Sequence, residues 1–216
     1  YNDVFKVYIG AIFVMLVLFV ISIIGAGAVR DSDDLWINPL FAIVSTITST
    51  GYSVGNFEAW GPFVLSLTFL MMFCGACAGS TSGGAKLDRV LFLVKNCRNE
   101  IYRCVYPNSI RSVKVNGKVV NPDLVNKVIA FLCLYMILVC IGGTLLTAMG
   151  LPPVDSFFSA FSCLSNTGLG SGVTGYGGGY SLVPTAGKWL LALLMLIGRL
   201  ELFTVLLLFV PSFWHR

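Results

Sequence analysis

Two short stretches of the sequence end in a Thr-Gly pair, and their spacing points to chemistry at the main chain. Residues 40–55 and 157–172 each carry an apolar run, then hydroxyl and amide side chains, then Thr-Gly at positions 50–51 and 167–168. Glycine permits the backbone angles that turn successive carbonyls toward one axis, and rings of carbonyls can replace the water around a cation. The repeat therefore predicts an ion pathway.

The two stretches align at a constant offset of 117 positions. Each is too short to cross a bilayer, which takes about 20 residues, and each lies between longer apolar runs. Non-helical backbone at membrane depth is tolerated where it lines a cavity, so we predict two re-entrant pore segments. The matched pairs are Ser45 with Ser162, Thr50 with Thr167, Gly51 with Gly168 and Gly55 with Gly172.

Composition indicates an integral membrane protein. Hydrophobic residues make up 56% of the chain and charged residues only 11%, which lies outside the usage of soluble domains. Residues 1–6 contain neither an initiator Met nor the basic start of a signal peptide, so we expect the chain to begin inside a longer protein.

Apolar runs predict where the chain crosses the membrane. Residues 7–29, 128–149 and 188–210 are each about as long as a bilayer requires. A fourth run, residues 63–78, passes into the glycine-rich residues 74–86 before apolar sequence resumes. We predict a broken helix there.

Charge sets the predicted orientation, because short loops rich in Lys and Arg stay in the cytoplasm. Residues 86–127 hold nine basic residues against three acidic ones, whereas residues 30–58 hold one basic and four acidic. The first connection is therefore predicted inside and the second outside. Both Thr-Gly stretches then enter from the outer face, in units of the same orientation.

The predicted fold is an all-α integral membrane protein built from tandem parallel units of helix, re-entrant pore loop and helix. The first unit covers residues 1–97 and the second covers residues 120–216, with a cytoplasmic linker over residues 98–119. Within residues 113–120, alternation around Asn-Gly predicts a small β-hairpin.

A single Thr-Gly pair also occurs at ordinary helix ends, but two copies in a matched membrane context favour a filter. Thr50 and Thr167 could hold the turn by hydroxyl hydrogen bonds, while Gly51 and Gly168 leave the axis open. Residues 173–177, Val-Thr-Gly-Tyr-Gly, look like the filter of tetrameric potassium channels. No short apolar helix directly precedes them, so we predict that Ser171 to Gly179 form a glycine-rich outer loop.

Further motifs carry a family resemblance. Residues 79–86, Gly-Ser-Thr-Ser-Gly-Gly-Ala-Lys, and residues 198–201, Gly-Arg-Leu-Glu, together with the layout and the Thr-Gly stretches, resemble the TrkH/KtrB potassium-uptake family, which is related to the plant HKT transporters. The resemblance covers essentially the whole chain. In that family four such units surround one pathway, and this chain resembles the third and fourth.

The resemblance implies roles for individual residues. The filter strands would be Thr50, Gly51 and Tyr52 in the first unit and Thr167, Gly168 and Leu169 in the second. The backbone carbonyls of Thr50, Gly51, Thr167 and Gly168 would bind K⁺.

The resemblance also implies a gate beneath the filter, formed by the flexible loop inside the broken helix. Close packing of helices through small residues is the alternative explanation, but the density of glycine and the hydroxyl residues favour a gate. Its residues would be Gly75, Gly79, Ser80, Thr81, Ser82, Gly83 and Gly84, with Arg199 beside them.

Arg199 stands out because it lies within an apolar run, where a charge costs several kcal/mol unless it meets water or a partner. Pairing with Glu201 on the same helix is disfavoured, since residues two apart do not share a helix face. In family terms Arg199 would line the pathway, bond the gating loop and act as a barrier to cations.

Enzymatic sites are not supported. Residues 79–86 lack the Lys-Ser or Lys-Thr of a phosphate loop, and the single histidine, His215, lies at the terminus. Seven cysteines, five of them in membrane segments, argue for reduced thiols. A lone Cys74-x-x-Cys77 spacing gives little support for a metal site. We therefore expect no enzyme activity and no cofactor in this chain.

The predicted function is transport of K⁺ into a prokaryotic cell by a multi-pass subunit of its inner (plasma) membrane. Alternatives are a secondary transporter of another small solute, a Na⁺-permeable relative and a non-transporting scaffold. The resemblance implies a cytoplasmic nucleotide-binding regulatory subunit and a homodimer of the full-length chain. The basic connection would equally suit anionic lipid, and no nucleic acid partner is expected.

Overall fold

In the computed structural model, α-helices account for most of the part of the chain that is described. That part comprises residues 3–27, 35–53, 57–77, 79–80, 83–106, 114–115, 118–119, 122–175 and 179–200. Its helices are α1 (Asp3–Gly25), α2 (Ile37–Ile47), α3 (Pro62–Cys74), α4 (Leu87–Val105), α5 (Pro122–Ala148), α6 (Pro153–Leu164) and α7 (Thr185–Arg199). Short 3₁₀ helices cover Phe57–Trp60, Gly172–Thr174 and Gly179–Leu182, and two strands cover Lys114–Val115 and Lys118–Val119.

Within the described residues, two helices are long and apolar enough to span a bilayer. They are Val4–Gly25 within α1 and Asp123–Ala148 within α5, and both begin earlier than the apolar runs predicted at residues 7–29 and 128–149. The third predicted run, residues 188–210, begins in α7 and extends beyond the described residues. The fourth, residues 63–78, corresponds to α3.

The helices α2 and α6 have 11 and 12 residues. At about 1.5 Å per residue they extend roughly 17–18 Å, well short of a hydrocarbon core of about 30 Å. Proline supplies the start of α6 and also of α3, where its missing N–H is no loss. The helices α2 and α6 each end shortly before a Thr-Gly pair.

The helices pack as two groups of three. The helices α1, α2 and α3 contact one another, and so do α5, α6 and α7. Contacts of α3 with α6 join the two groups directly, and α4, which belongs to neither group, contacts α5. One continuous hydrophobic core runs through both groups. The two short helices are thus held by a common core.

Aromatic side chains form the joint between the two groups. The ring of Phe69 in α3 stacks on Phe161 in α6 with centroids 4.1 Å apart, and Tyr135 in α5 meets Phe161 edge-on at 5.7 Å. Such pairs add to the stabilisation from apolar burial. The Arg89 guanidinium lies 4.1 Å from the centre of the Phe131 ring and so ties α4 to α5.

Glycines let α5 approach its neighbours. A Cβ at Gly143 would lie 2.8 Å from Cε1 of Phe157, and a Cβ at Gly142 would lie 2.8 Å from Cδ1 of Leu194. Both distances are shorter than packed carbon atoms tolerate. The second group therefore depends on small residues where α5 faces α6 and α7.

The segment between the two groups differs in part from the sequence-based division. The helix α4 runs to Val105, so the boundary predicted at residue 97 falls inside it. Beyond it, Lys114 pairs with Val119 and Val115 with Lys118 in antiparallel register, which confirms the predicted hairpin.

Candidate functional site

The first Thr-Gly stretch folds back at the end of α2. Ser49 adopts a left-handed conformation with φ of 55°, and Gly51 has φ of 75°. The Thr50 N–H donates to the Ser45 carbonyl at 2.9 Å, and the Thr48 and Thr50 hydroxyls lie 2.8 Å apart. The hydroxyl and glycine residues that the sequence singles out thus form a tight turn.

The second stretch repeats this turn at the end of α6. Asn166 has φ of 56° and Gly168 has φ of 82°. The Thr167 N–H donates to the Ser162 carbonyl at 3.0 Å, and the Ser165 and Thr167 hydroxyls lie 2.8 Å apart. Each of these features lies 117 positions after its counterpart in the first turn.

The two turns touch through their main chains. A Cβ on Gly51 would overlap the carbonyl oxygen of Thr167 and lie 3.1 Å from its carbonyl carbon. It would also lie 3.8 Å from Cα of Gly168. Hence the structure brings together the two pairs that the sequence matches, and only glycine fits at position 51.

Protein donors hold the carbonyls that follow each Thr-Gly pair. The Ser45 hydroxyl donates to the Tyr52 carbonyl at 2.7 Å, and the Tyr180 hydroxyl donates to the Leu169 carbonyl at 3.1 Å. Different donors therefore hold the two turns. The turns also differ in burial, since the Tyr52 side chain is 70% exposed whereas Leu169 is buried.

Sequence comparison of the two stretches does not identify Tyr180. It lies outside the repeat, in the 3₁₀ helix Gly179–Leu182, and 11 residues separate it from Leu169. Ser162, which matches Ser45, has a buried hydroxyl without a hydrogen-bond partner among the described residues. The matched serines therefore differ in their hydrogen bonding, and this difference becomes visible only when the fold is known.

The interrupted segment between α3 and α4 lies at the positions where the sequence predicts a broken helix. Gly75 ends α3 with φ of 57°, and Gly79 and Gly84 have φ of 84° and 78°. The Ala85 N–H donates to the Phe73 carbonyl at 3.2 Å, so the chain returns close to where it left the helix. Three of the four described gate glycines thus take angles that disfavour other residues.

The remaining predicted gate residues fall into two sets. Ser80 is part of a turn in which its N–H donates to the Cys77 carbonyl at 3.1 Å. Thr81 and Ser82 lie outside the described residues.

Gly83 brings the interrupted segment against the second turn. A Cβ at Gly83 would overlap the Ser165 carbonyl oxygen and lie 3.1 Å from Cβ of Asn166. A Cβ at Gly84 would lie 3.8 Å from Cβ of Ser165. The predicted gate therefore contacts Ser165 and Asn166, the residues that lead into the predicted filter strand of the second unit.

Arg199 is the last residue of α7 and is exposed. Its neighbour Gly198 packs on the second turn, where a Cβ would overlap the Leu164 carbonyl oxygen and lie 2.8 Å from Nδ2 of Asn166. Glu201 lies outside the described residues. The helix end that carries the predicted barrier residue thus contacts the turn that follows α6.

Two carboxylates hold the loop that follows the second turn. The Gly172 N–H donates to Oε1 of Glu58 at 2.6 Å, across 114 positions, and the Val173 N–H donates to Oδ2 of Asp155 at 3.0 Å. Thr174 is buried, with its hydroxyl 2.8 Å from that of Ser159. Thr174 therefore lies in an anchored segment within residues 171–179, the stretch predicted to form an outer loop, of which residues 176–178 are not described.

No group of three or more His, Cys, Asp or Glu side chains in the described residues is arranged to hold a metal ion. All seven cysteines are free thiols. The polar atoms that the site concentrates are instead main-chain carbonyls and hydroxyls, which are ligands suited to a weakly hydrated monovalent cation.

Comparisons with known proteins agree with this arrangement. The family model TrkH, described as a cation transport protein, matches residues 4–216. The chain is 32% identical over 213 residues to the Trk system potassium uptake protein TrkH of Escherichia coli K12, covering 98% of this chain and 44% of that protein. It is 36% identical over 180 residues to the protein of the same name from Halomonas elongata, covering 82% of this chain and 36% of that protein.

A solved structure has the same fold. The crystal structure of the potassium transporter TrkH from Vibrio parahaemolyticus superimposes with a TM-score of 0.89 at 30% identity, over 99% of this chain and 45% of that one. The chain spans less than half the length of these relatives. The all-α membrane fold is thereby confirmed, and a transport family agrees with the expectation of a protein that is not an enzyme. With a family model matched from residue 4 to the last residue, the chain belongs to the TrkH family of cation transport proteins.

Proposed function

We propose that the full-length protein containing this chain takes up K⁺ across the inner (plasma) membrane, as a multi-pass subunit, and that the two Thr-Gly turns form part of its selectivity filter. The observation that supports this most directly is the main-chain contact of Gly51 with Thr167. Two equivalent turns that meet without side chains between them leave carbonyl oxygens to face a common space. Stripping water from K⁺ requires such oxygens in compensation.

The proposed ligands are the carbonyls of Thr50, Gly51, Thr167 and Gly168. One position further along, the carbonyls of Tyr52 and Leu169 accept hydrogen bonds from protein hydroxyls. These bonds hold the outgoing strand of each turn, which keeps the preceding carbonyls at a fixed separation. In the proposal, K⁺ is the transported ion and no cofactor is needed in this chain.

The interrupted segment is the proposed gate, with residues Gly75, Gly79, Ser80, Thr81, Ser82, Gly83 and Gly84. Three of its four glycines, Gly75, Gly79 and Gly84, have positive φ, and the fourth, Gly83, lies against the turn after α6. A loop that must move within a narrow pathway needs little bulk and a permissive backbone. Arg199, at the end of the helix that packs on the same turn, would oppose cations beneath the filter.

The direction and the ion follow from the relatives and from energetics. The relatives are named potassium uptake proteins, and the membrane potential supplies about 2.3 kcal/mol per charge for each 100 mV. That contribution favours accumulation of a cation inside the cell. Because this chain covers less than half of the relatives, the rest of a ring of four would come from the remainder of the full-length protein.

We also propose a cytoplasmic nucleotide-binding partner and a homodimer of the full-length chain. The relatives are described as parts of a Trk system, which supports a multi-component assembly. The end of α4 and the residue after it expose Ile101 (69%), Val105 (65%) and Tyr106 (56%) beside the ion pair of Arg103 with Glu100. A surface of apolar and charged residues at the predicted cytoplasmic end suits a soluble protein partner. Co-purification with a soluble nucleotide-binding subunit, and the mass of the purified complex, test the two statements separately.

The transport proposal is tested in cells that lack potassium uptake. The full-length protein should restore growth on low K⁺ and import Rb⁺ faster than Na⁺, and the Gly168→Ser variant should lose this preference at equal membrane abundance. Equal Rb⁺ and Na⁺ influx in the unaltered protein would favour a Na⁺-permeable relative. Absence of any cation influx would overturn the proposal in favour of another solute or a scaffold.

A further inference from the structure

The turn after α6 is held by a side chain that the filter proposal does not use. Asn166 has φ of 56°, a left-handed conformation that asparagine tolerates better than most residues. It directly precedes Thr167, whose carbonyl meets Gly51. A change in the orientation of residue 166 therefore moves the contact between the two turns.

The Asn166 side chain reaches a helix 29 residues away. Its Nδ2 donates to the Met195 carbonyl of α7 at 3.1 Å. In an α-helix that carbonyl is also the acceptor for the N–H four residues later, which here belongs to Arg199. The amide of Asn166 thus meets α7 at the turn of helix that carries Arg199.

Two glycines pack tightly against Asn166. A Cβ at Gly198 would lie 2.8 Å from Nδ2 of Asn166, and a Cβ at Gly83 would lie 3.1 Å from Cβ of Asn166. These distances are shorter than ordinary side-chain contacts. The interrupted segment, the end of α7 and the second turn consequently meet around one residue.

We propose that Asn166 is a positioning residue that couples the interrupted segment and the Arg199 end of α7 to the filter turn, and so sets the preference among monovalent cations. Because the hydrogen bond to Met195 fixes the residue before Thr167, its loss would let the Thr167 carbonyl shift relative to Gly51. A filter distinguishes ions by the spacing and field of its carbonyls, so such a shift would weaken discrimination before it abolished flux. This inference rests on the proposed function.

The decisive variant is Asn166→Gly in the full-length protein, because glycine keeps the left-handed angle and removes only the side chain. Its matched control is Asn126→Gly, which removes an exposed asparagine side chain near the start of α5. At equal membrane abundance, Asn166→Gly should lower the ratio of Rb⁺ to Na⁺ influx by about three- to tenfold, the range that one net hydrogen bond can produce. Asn126→Gly should change it by less than twofold.

A second variant guards against misfolding. Asn166→Asp keeps the size of the side chain and loses its donor, so it should lower the ratio in the same direction. An unchanged ratio in either variant that reaches the membrane would overturn the role of Asn166 while leaving the transport function intact. If the unaltered protein imports no Rb⁺, the transport function itself fails, so the two failures are distinguishable.

Discussion

Gly51 and Gly168 occupy matching positions but face different constraints. Both have positive φ, which costs a residue with a side chain about 1–2 kcal/mol. Only Gly51 also lies against backbone, since a Cβ there overlaps the Thr167 carbonyl oxygen, whereas no described atom lies within 4 Å of a Cβ at Gly168. Equivalence in sequence therefore hides a difference in packing.

We expect Gly51→Ala to damage transport more than Gly168→Ala. The first change forces the two turns apart and strains the backbone, while the second adds strain alone. Rb⁺ uptake by the full-length variants, normalised to their amount in the membrane, should fall further for Gly51→Ala by about tenfold or more, as expected when overpacking adds about 1–3 kcal/mol to the shared strain. Equal losses, or a greater loss for Gly168→Ala, would contradict the contact between the turns.

Arg199 provides a second test at the level of one residue. If its charge opposes cations beneath the filter, Arg199→Gln should raise basal Rb⁺ flux or weaken its regulation, because removing a positive charge lowers the Coulombic barrier to a passing cation. Lys95→Gln on α4 is a suitable control, since it removes one positive charge from another helix. Unchanged flux in Arg199→Gln would remove this residue from the mechanism.

Among the elements, the second group of helices depends on the close approach of α5 to α6 and α7. Gly142 and Gly143 permit this approach, because Leu194 and the Phe157 ring occupy the space that side chains would need. The second turn is attached to α6, so its position follows from this packing. The position of the proposed filter turn is thus set partly by buried glycines of α5.

Replacing one of these glycines should destabilise the protein measurably. Gly143→Ala overpacks the contact with Phe157, a change that typically costs about 1–3 kcal/mol. Gly10→Ala in α1 is the matched control, because no described atom lies within 4 Å of its Cβ and alanine favours a helix. In detergent, thermal unfolding should shift downward for Gly143→Ala and remain equal or rise for Gly10→Ala; a downward shift of similar size in both would argue against tight packing at Gly143.

At the scale of the whole molecule, the proposal requires two units of the same orientation. Charge predicts the outer face for the loop before α3 and the inner face for the far end of α4. Cys97 and Cys104 are exposed on α4, Ala59 is exposed in the 3₁₀ helix before α3, and Leu182 is 64% exposed before α7. These residues supply markers for both faces.

A membrane-impermeant maleimide tests the orientation directly. In a background without the other cysteines, Cys97 and Cys104 should react only from the cytoplasmic side, whereas Ala59→Cys and Leu182→Cys should react only from outside. Reaction of the last two from opposite sides would mean that the units are inverted relative to each other. The filter proposal would then lose its common axis.

Much of this architecture could be predicted because the signals are local. Hydropathy located α1 and α5, and the glycine-rich residues 74–86 coincide with the gap between α3 and α4. The boundary predicted at residue 97 falls inside α4, because this amphipathic helix continues to Val105 and its polar face resembles a linker in composition. The role of Tyr180 could not be predicted, because nothing near it in the chain marks it as a hydrogen-bond donor to the Leu169 carbonyl.

The sequence alone determined the membrane class, the short helices and the two matched turns, since apolar length, glycine and hydroxyl residues act on their immediate neighbours. Only the tertiary structure decided which groups meet: Gly51 with Thr167, Asn166 with Met195, and Glu58 with Gly172. These contacts join positions far apart in the chain. They depend on how whole helices pack through a shared core, which no local pattern specifies.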